Sequence, residues 1–256
     1  MFGDPHLKSW NGDWFSYMGE CDLRLVHAPT FDGKQDLTIH VRTTIRYEYS
    51  YIEAAAIQIG NDTLEVDSWG GYALNDVEDA ILNSRAKRVL RNGNLVSNNL
   101  GGYDIFHTQM SQKKHVFDVI LGPGENVTFS NMKDMVSVKI NHNEHFVNVV
   151  GVLGHFDGSM LARDGVTDLH DGINTMGQEW QVHDDEPMLF RTAREPQYPN
   201  KCRLPDLGKK ESRRLGEGIG EAEAKVACAH LQPDAQAFAS CVYDVTATND
   251  LDYANS

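Results

Sequence analysis

The sequence predicts a mainly β protein, an antiparallel β-sandwich or barrel with a small C-terminal α-helical subdomain. Residues 22–27 and 37–47 alternate polar and apolar side chains, as a strand with one buried face does. Turn-forming glycine sequences, such as Gly-Pro-Gly at 122–124, recur between such segments. Strong helix formers are concentrated after residue 220. These three observations separate a strand-rich body from a helical tail.

The strand-rich body is expected to extend from about Cys21 to Val152. Residues 37–47 are rich in β-branched side chains, which favour strands. Asn-Gly and Gly-Gly pairs supply further turns between the predicted strands. Short strands separated by such turns indicate antiparallel sheets. The remaining strands are predicted at 54–59, 63–66, 115–121, 126–130, 136–140 and 146–150.

Changes in composition divide the chain into three segments. Residues 1–193 form the β domain, and residues 194–220 mix proline, glycine and alternating charges, which is typical of an exposed linker. Residues 221–256 are predicted to be helical. One helix covers 221–231, and Pro233 opens a second helix, because an early helical position tolerates the missing N–H of proline.

The charge balance narrows the range of partners. The 256 residues include 23 Lys and Arg against 37 Asp and Glu, which gives a formal net charge of −14. Such a chain repels the phosphates of nucleic acids and anionic membranes, so no nucleic-acid partner is expected. No apolar run approaches the roughly 20 residues that span a bilayer, so no membrane insertion is expected. The charge favours cations instead.

Four cysteines, Cys21, Cys202, Cys228 and Cys241, allow three pairings. Their spacing matches no zinc-binding pattern. Cys228 and Cys241 are close together in the helical tail, and we expect them to form a disulfide. A small helical hairpin would need such a covalent link, because its own core is small.

Two N-glycosylation sequons indicate a secreted, extracellular protein: Asn61-Asp62-Thr63 and Asn126-Val127-Thr128. No secretory signal is present at the start, because Met1 and Phe2 lead directly into Gly-Asp-Pro-His. We therefore expect the natural chain to continue upstream.

Two motifs carry the predicted chemistry. The first is Gly-Asp-Pro-His at 3–6, followed by Ser-Trp-Asn-Gly at 9–12 and Gly-Glu-Cys at 19–21. The second is Gly-Val-Leu-Gly-His-Phe-Asp-Gly at 151–158, which continues into an oxygen-rich loop ending at Asp164 and Gly165. Calcium takes about 6–8 oxygen ligands in flexible geometry, and such a loop supplies carboxylates and carbonyls. A cation would also compensate the repulsion between neighbouring carboxylates.

The order of these motifs resembles the von Willebrand factor type D domain. That family opens with Gly-Asp-Pro-His, continues to Gly-x-Cys, and closes its core with Gly-Leu-Cys-Gly-Asn-Phe-Asp-Gly and a later tryptophan, which Trp180 matches. The tail at 240–245 resembles the end of the C8-like helical module that follows many such domains. The resemblance covers about 1–190 well and the tail more loosely.

The resemblance implies a calcium site with ligands from both ends of the domain. Asp4 matches a ligand that reaches across to the late loop, Asp157 matches the loop aspartate, and Asp164 matches its terminal aspartate. Ser159 would offer a main-chain oxygen. His155 replaces the usual asparagine, and because hard cations prefer an amide oxygen to an imidazole, it either weakens calcium binding or contributes only its carbonyl.

Two alternatives accompany this assignment. Asp168 and Asp171 are a looser second choice of acidic ligands, or all these acids are solvated turn residues. The sequence also departs from the family at Leu153, where the family has cysteine. Cys21 is therefore either free or bridged to Cys202, and the chain lacks the disulfide chemistry by which multimer-forming relatives assemble.

The motif also suggests self-processing. In some mucin-type relatives the Asp-Pro bond cleaves at mildly acidic pH. Here the Asp4 carboxyl would attack its own carbonyl, Pro5 would leave, and His6 would assist as a proton donor. The alternative is that Asp4 is a metal ligand and Pro5 a rigid turn residue. The histidines outside these motifs, including His142 and His145, show no spacing that identifies a metal site.

No nucleophile elbow or phosphate-binding loop is present, so an enzyme is not expected, although secreted luciferases share this fold. The sequence therefore predicts a calcium-binding structural or adhesive module of a larger secreted matrix or adhesion protein. Its expected partners are other extracellular matrix or adhesive proteins, or glycans.

Overall fold

The described part of the chain is strand-rich, and its helices lie mostly at the C-terminal end. The α-helices are α1 (Ile173–Glu179), α2 (Glu221–Ala227) and α3 (Ala235–Thr248), with 3-10 helices at Glu144–Phe146 and Ala229–Leu231. The strands are β1 (His6–Lys8), β2 (Trp14–Ser16), β3 (Asp22–Phe31), β4 (Gln35–Arg46), β5 (Tyr49–Ile59), β6 (Asp62–Asp67), β7 (Tyr72–Leu74), β8 (Val77–Glu78), β9 (Arg88–Arg91), β10 (Asn94–Ser97), β11 (Asn99–Leu100), β12 (Tyr103–Gln109), β13 (His115–Gly122), β14 (Glu125–Met132) and β15 (Met135–Asn141). The computed structural model describes residues 6–46, 49–75, 77–78, 88–91, 94–97, 99–110, 114–132, 135–142, 144–170, 172–190, 202–204, 219–249, 251 and 254.

Two antiparallel sheets form the body of the protein. One contains β3 to β8 in sequence order, and the other contains β11 to β15 in sequence order. Two small hairpins, β1–β2 and β9–β10, complete the described strands. Side chains from the inner faces of both large sheets belong to one hydrophobic core. This confirms the predicted mainly β, antiparallel fold with a small helical C-terminal part.

The alternation in β4 shows how the sequence sets the sheet faces. Leu37, Ile39 and Val41 are buried in the core between the sheets. Thr38, His40 and Arg42 alternate with them and therefore lie on the opposite face. These three side chains are also buried, with exposures of 7%, 2% and 8% respectively.

The predicted strand at 146–150 is wrong. Phe146 ends a 3-10 helix, Val147 is 53% exposed, and Val150 forms only an isolated bridge with His27. Phe146 and Val149 are both buried in the core. Their three-residue spacing places them on one side of a turning segment, whereas buried residues of a strand recur every two residues.

Part of the predicted linker is anchored to the β domain. Cys202 is 3% exposed and forms a disulfide with Cys21. Next to it, Glu20 and Arg203 exchange two backbone hydrogen bonds, with N···O distances of 2.7 and 3.1 Å. The rest of the predicted linker, apart from residues 202–204 and 219–220, lies outside the described residues.

The helical tail forms its own small core and contacts the start of the chain. Cys228 and Cys241 form the disulfide that their spacing favoured. The Lys8 ammonium lies 3.6 Å from the Asp234 carboxylate, and this ion pair joins β1 to the start of α3. The first predicted helix is shorter than expected, because α2 ends at Ala227 and a 3-10 turn follows. In the described part of the chain, no helix combines the length and apolar character needed to cross a membrane.

Candidate metal-binding site

The two ends of the β domain meet at the predicted site. We call residues 6–16 the opening hairpin and residues 151–170 the late loop. The Trp10 Nε1–H donates a hydrogen bond of 3.1 Å to the Gly154 carbonyl oxygen. Gly158 has φ +89°, and a Cβ at this position would lie 2.9 Å from the Asn11 Cβ. This close approach therefore requires glycine at 158, and it places the hairpin turn directly against the loop.

Aromatic side chains fix the opening hairpin in this position. The Trp10 ring lies 5.6 Å from the Phe146 ring and 5.8 Å from the Phe156 ring, measured between centroids. His142 contacts Trp10 edge-on at 5.0 Å. Such ring pairs stabilise an interface beyond the area that they bury. The hairpin and the loop are thus joined by apolar packing as well as by the Trp10 hydrogen bond.

The hairpin turn brings polar oxygen atoms to the same place. The Ser9 hydroxyl donates to Asn11 Oδ1 at 2.5 Å, and Asn11 Nδ2 donates to Asp13 Oδ2 at 2.8 Å. Asn11 is the residue that contacts Gly158. The sequence identified this stretch only as a turn, since a contact 147 positions further along the chain leaves no local signal.

In the late loop, Asp157 closes a turn with Ser159. The Asp157 carboxylate accepts hydrogen bonds from Ser159 N at 2.9 Å and from Ser159 Oγ at 2.6 Å. These bonds hold the pKa of Asp157 below its usual value, so the carboxylate is ionised at neutral pH. The Ser159 carbonyl already accepts from the His155 N–H at 2.8 Å. The Asp157 side chain is exposed and able to meet a cation from solvent.

Asp164 closes a second turn in the same way. Its carboxylate accepts from the backbone N–H groups of Val166 and Thr167, each at 2.8 Å, and from the Thr167 hydroxyl at 2.6 Å. The Thr167 hydroxyl, followed by the backbone groups, lowers the pKa of Asp164. Asp157 and Asp164, the two predicted acidic ligands in this loop, therefore each form hydrogen bonds within their own turn.

The fit of these residues to calcium is partial. Ionised carboxylates and hard oxygen atoms match its preference, but within the described ranges no group of three or more His, Cys, Asp or Glu side chains is arranged to hold a metal ion. The Nε2 atom of His155 is buried and has no hydrogen-bond partner in the described part of the chain. Asp4 and Asp171 lie outside the described residues. The Asp168 carboxylate accepts a hydrogen bond of 2.9 Å from the His170 N–H.

The predicted self-cleavage residues are only partly described. Asp4 and Pro5 lie outside the described residues. His6 is in β1, where its Nδ1 lies 2.7 Å from Ser16 Oγ and its Nε2 lies 3.9 Å from Asp244 Oδ1. Burial lowers the pKa of His6 to about 4. The ring is therefore mostly neutral at pH 5–6, and it is a weak candidate for a proton donor in that range.

A buried tyrosine fixes the chain between the opening hairpin and β3. Tyr17 is fully buried, and its hydroxyl oxygen lies 3.3 Å from Cys21 Sγ. Gly19 and Gly177 flank the ring so closely that a Cβ on either would overlap it. The same sulfur is bridged to Cys202. Cys21 is therefore not free but bridged to Cys202. Contacts with Tyr17 and this disulfide bring together the segment before β3, helix α1 and the segment around Cys202.

The two sequons differ in their surroundings. Asn61 is exposed in the turn between β5 and β6. Asn126 lies on β14, where its Nδ2 donates to Thr128 Oγ1 at 2.9 Å and its Oδ1 accepts from Asn141 Nδ2 at 2.6 Å. A glycan on Asn126 would replace one of the Nδ2 hydrogens that these bonds use. Asn61 is therefore the sequon more easily modified without loss of native contacts.

Comparison of the chain with models of known protein families and with curated proteins found no match in either case.

Proposed function

We propose that this protein is a calcium-binding structural or adhesive module of an extracellular protein. The observation that carries this proposal is the contact between the opening hairpin and the late loop, through Trp10 with Gly154 and Asn11 with Gly158. An ion held between these segments would connect the beginning of the domain to its end. The resemblance of both motifs to the von Willebrand factor type D domain supports the same assignment.

Electrostatics supports a cation at this position. The chain carries a formal net charge of −14, and Asp157 and Asp164 are ionised and exposed at neutral pH. Calcium would accept these and other oxygen ligands in irregular geometry. Asp4, Asp157 and Asp164 would supply carboxylates, and His155 and Ser159 would supply main-chain oxygens. The ion would act as a structural link between these segments.

The disulfides support an extracellular setting. The Cys21–Cys202 and Cys228–Cys241 bridges are stable in oxidising compartments and rare in the cytosol. We propose that the natural partners are other extracellular matrix or adhesive proteins, or glycans. The second disulfide also lies in the helical tail, whose Asp234 contacts Lys8 of β1.

Thermal unfolding of chelator-treated protein, with and without added calcium, tests this proposal. Calcium at 100 times its dissociation constant would add about 2.7 kcal/mol to the free energy of unfolding. For a domain of this size, this corresponds to a rise in Tm of about 5–11 °C. The variant Asp157→Asn should lose most of the rise, whereas Asp184→Asn, which changes an exposed acid outside the late loop, should keep it. An unmoved Tm in metal-free wild-type protein would rule the calcium site out.

Self-processing at Asp4-Pro5 stays a prediction, and the neutral state of His6 at pH 5–6 argues against it. Intact-mass measurement after incubation at pH 5.5 tests it directly. We expect the bond between Asp4 and Pro5 to remain intact. Loss of the residues before Pro5 would instead establish cleavage.

A further inference from the structure

The outer face of the six-stranded sheet contains a buried histidine. His40 is 2% exposed, and neither of its ring nitrogens has a hydrogen-bond partner among the residues that the structure describes. Its neighbour Arg42 is different, because its guanidinium donates to both carboxylate oxygens of Asp22 at 2.6 Å. A neutral imidazole has one N–H donor and one acceptor nitrogen. Leaving both unmet in the interior is costly, so a ligand or ion is the expected explanation.

One described segment packs against this face. We call residues 180–190 the strap. It pairs with the edge strand β3, since Arg24 N donates to Trp180 O and Val182 N donates to Asp22 O, each at 2.8 Å. It then crosses to β5, where a small apolar cluster forms from Ala54, Ala56, Leu189 and Phe190. Because Ala56 is the cross-strand neighbour of His40, the strap ends beside the histidine.

Two guanidinium groups lie near His40. Arg24 is its cross-strand neighbour on β3, and among the described residues the Arg24 Nε is a second buried donor without a hydrogen-bond partner. The Arg24 Nη2 pairs with Glu186 Oε1 at 2.9 Å, and the guanidinium of Arg163 pairs with the same oxygen. The two guanidinium groups therefore share one carboxylate beneath the strap.

The electrostatic influence on His40 agrees with this arrangement. Burial, followed by the charges of Arg24, His27 and Arg163, lowers its pKa to about 3. The ring is therefore neutral at physiological pH and keeps one N–H to donate. An anionic acceptor would satisfy this N–H and the Arg24 Nε–H together, and charge-assisted hydrogen bonds are the stronger kind.

We propose that His40 and Arg24 form a buried binding site for a small monovalent anion, such as chloride, beneath the strap. A monovalent ion would add one negative charge beside Arg24 and Arg163, which share the Glu186 carboxylate. The site lies on the outer face of the sheet and uses none of the proposed calcium ligands, so it does not depend on the proposed function.

Thermal unfolding in two salts tests the proposal. Wild-type protein in EDTA is melted in sodium chloride and in sodium methanesulfonate, at equal ionic strength and pH. At about ten times the dissociation constant of chloride, we expect a saturable rise in Tm of about 3–6 °C in chloride only. His40→Gln should lose the difference between the salts, and His230→Gln, which alters an exposed histidine, should keep it.

Chloride-35 NMR of wild-type protein provides a measurement that does not depend on whether the variant folds. We expect line broadening that bromide reverses by competition. Equal melting temperatures in both salts, together with no broadening above that of a control protein, would overturn the proposal. A water molecule at His40 would give that outcome. Since EDTA is present throughout, neither result depends on whether calcium binds.

Discussion

Replacement of Gly177 by alanine tests how the opening segment is fixed to the rest of the domain. Gly177 lies in α1, where alanine ordinarily stabilises a helix by about 1 kcal/mol over glycine. Here a Cβ would overlap the Tyr17 ring and lie 2.5 Å from its Cζ. Tyr17 cannot move freely, because it is fully buried and its hydroxyl contacts Cys21 Sγ. At this position alanine is therefore expected to destabilise the protein, the opposite of its usual effect in a helix.

The magnitude follows from two opposing effects. Overpacking a well-packed core costs about 1–3 kcal/mol, and the severity of this overlap favours the upper end. After the helical gain of about 1 kcal/mol, we expect Gly177→Ala to lower the free energy of unfolding by about 2 kcal/mol. Urea unfolding followed by fluorescence measures this loss. The control is Gly220→Ala, where a new Cβ meets nothing within 4 Å and the loss of a good N-cap residue should cost only about 0.5–1 kcal/mol.

A double mutant separates the overlap from other effects. In a Tyr17→Leu background the side chain is shorter, so Gly177→Ala should cost much less than in the wild type. A coupling of about 1 kcal/mol or more between the two sites is expected for residues in direct contact. Gly177→Ala protein as stable as the wild type, or an unchanged cost in the Tyr17→Leu background, would refute this packing.

Three further predictions concern the strap, the long-range disulfide and the late loop. His40 has a pKa of about 3 in the folded protein, below the unfolded value of 6.5, so its contribution to stability is complete above pH 6.5 and falls on acidification. In chloride-free urea titrations, His40 should account for about 2 kcal/mol of the stability lost between pH 6.5 and 5, and His6 adds to the loss because its pKa is also lowered, so His40→Gln should lose about 2 kcal/mol less than the wild type. Cys202→Ser removes the disulfide to Cys21, which closes a loop between residues 181 positions apart. We expect the free energy of unfolding to fall by about 2–5 kcal/mol. A change near zero would contradict the anchoring role of this disulfide. In Gly158→Ala, the new Cβ would clash with Asn11, and alanine would have to adopt a positive φ. We expect this variant to lose about 1–3 kcal/mol of stability and to bind calcium more weakly. Wild-type calcium affinity in this variant would show that calcium binding does not need the close approach.

The sheet architecture was predictable because its signal is local. In β4 the alternation of Leu37, Ile39 and Val41 with polar residues identifies the strand and its core face. The strand predicted at 146–150 was wrong, because apolar content alone does not distinguish a strand from a buried turn. The pairing of Cys21 with Cys202 stayed open, because the fold of the whole intervening chain decides whether two cysteines 181 positions apart meet.

The candidate site was predictable only in part. The resemblance identified the acidic positions of the late loop, but not that Asp157 and Asp164 each bond within their own turns. His40 was missed for a different reason. A polar residue that alternates with a buried face normally points to solvent, whereas His40 is buried on a face where the distant strap packs.

Calcium titration of chelator-treated protein by isothermal calorimetry tests the central claim most directly. We predict one calcium ion per chain. Asp4→Asn and Asp157→Asn should each weaken binding by roughly tenfold or more, because each removes a charged ligand contributed by a different end of the domain. Asp184→Asn should bind calcium as the wild type does. Full affinity in either Asp4→Asn or Asp157→Asn would contradict a site built from both ends of the chain.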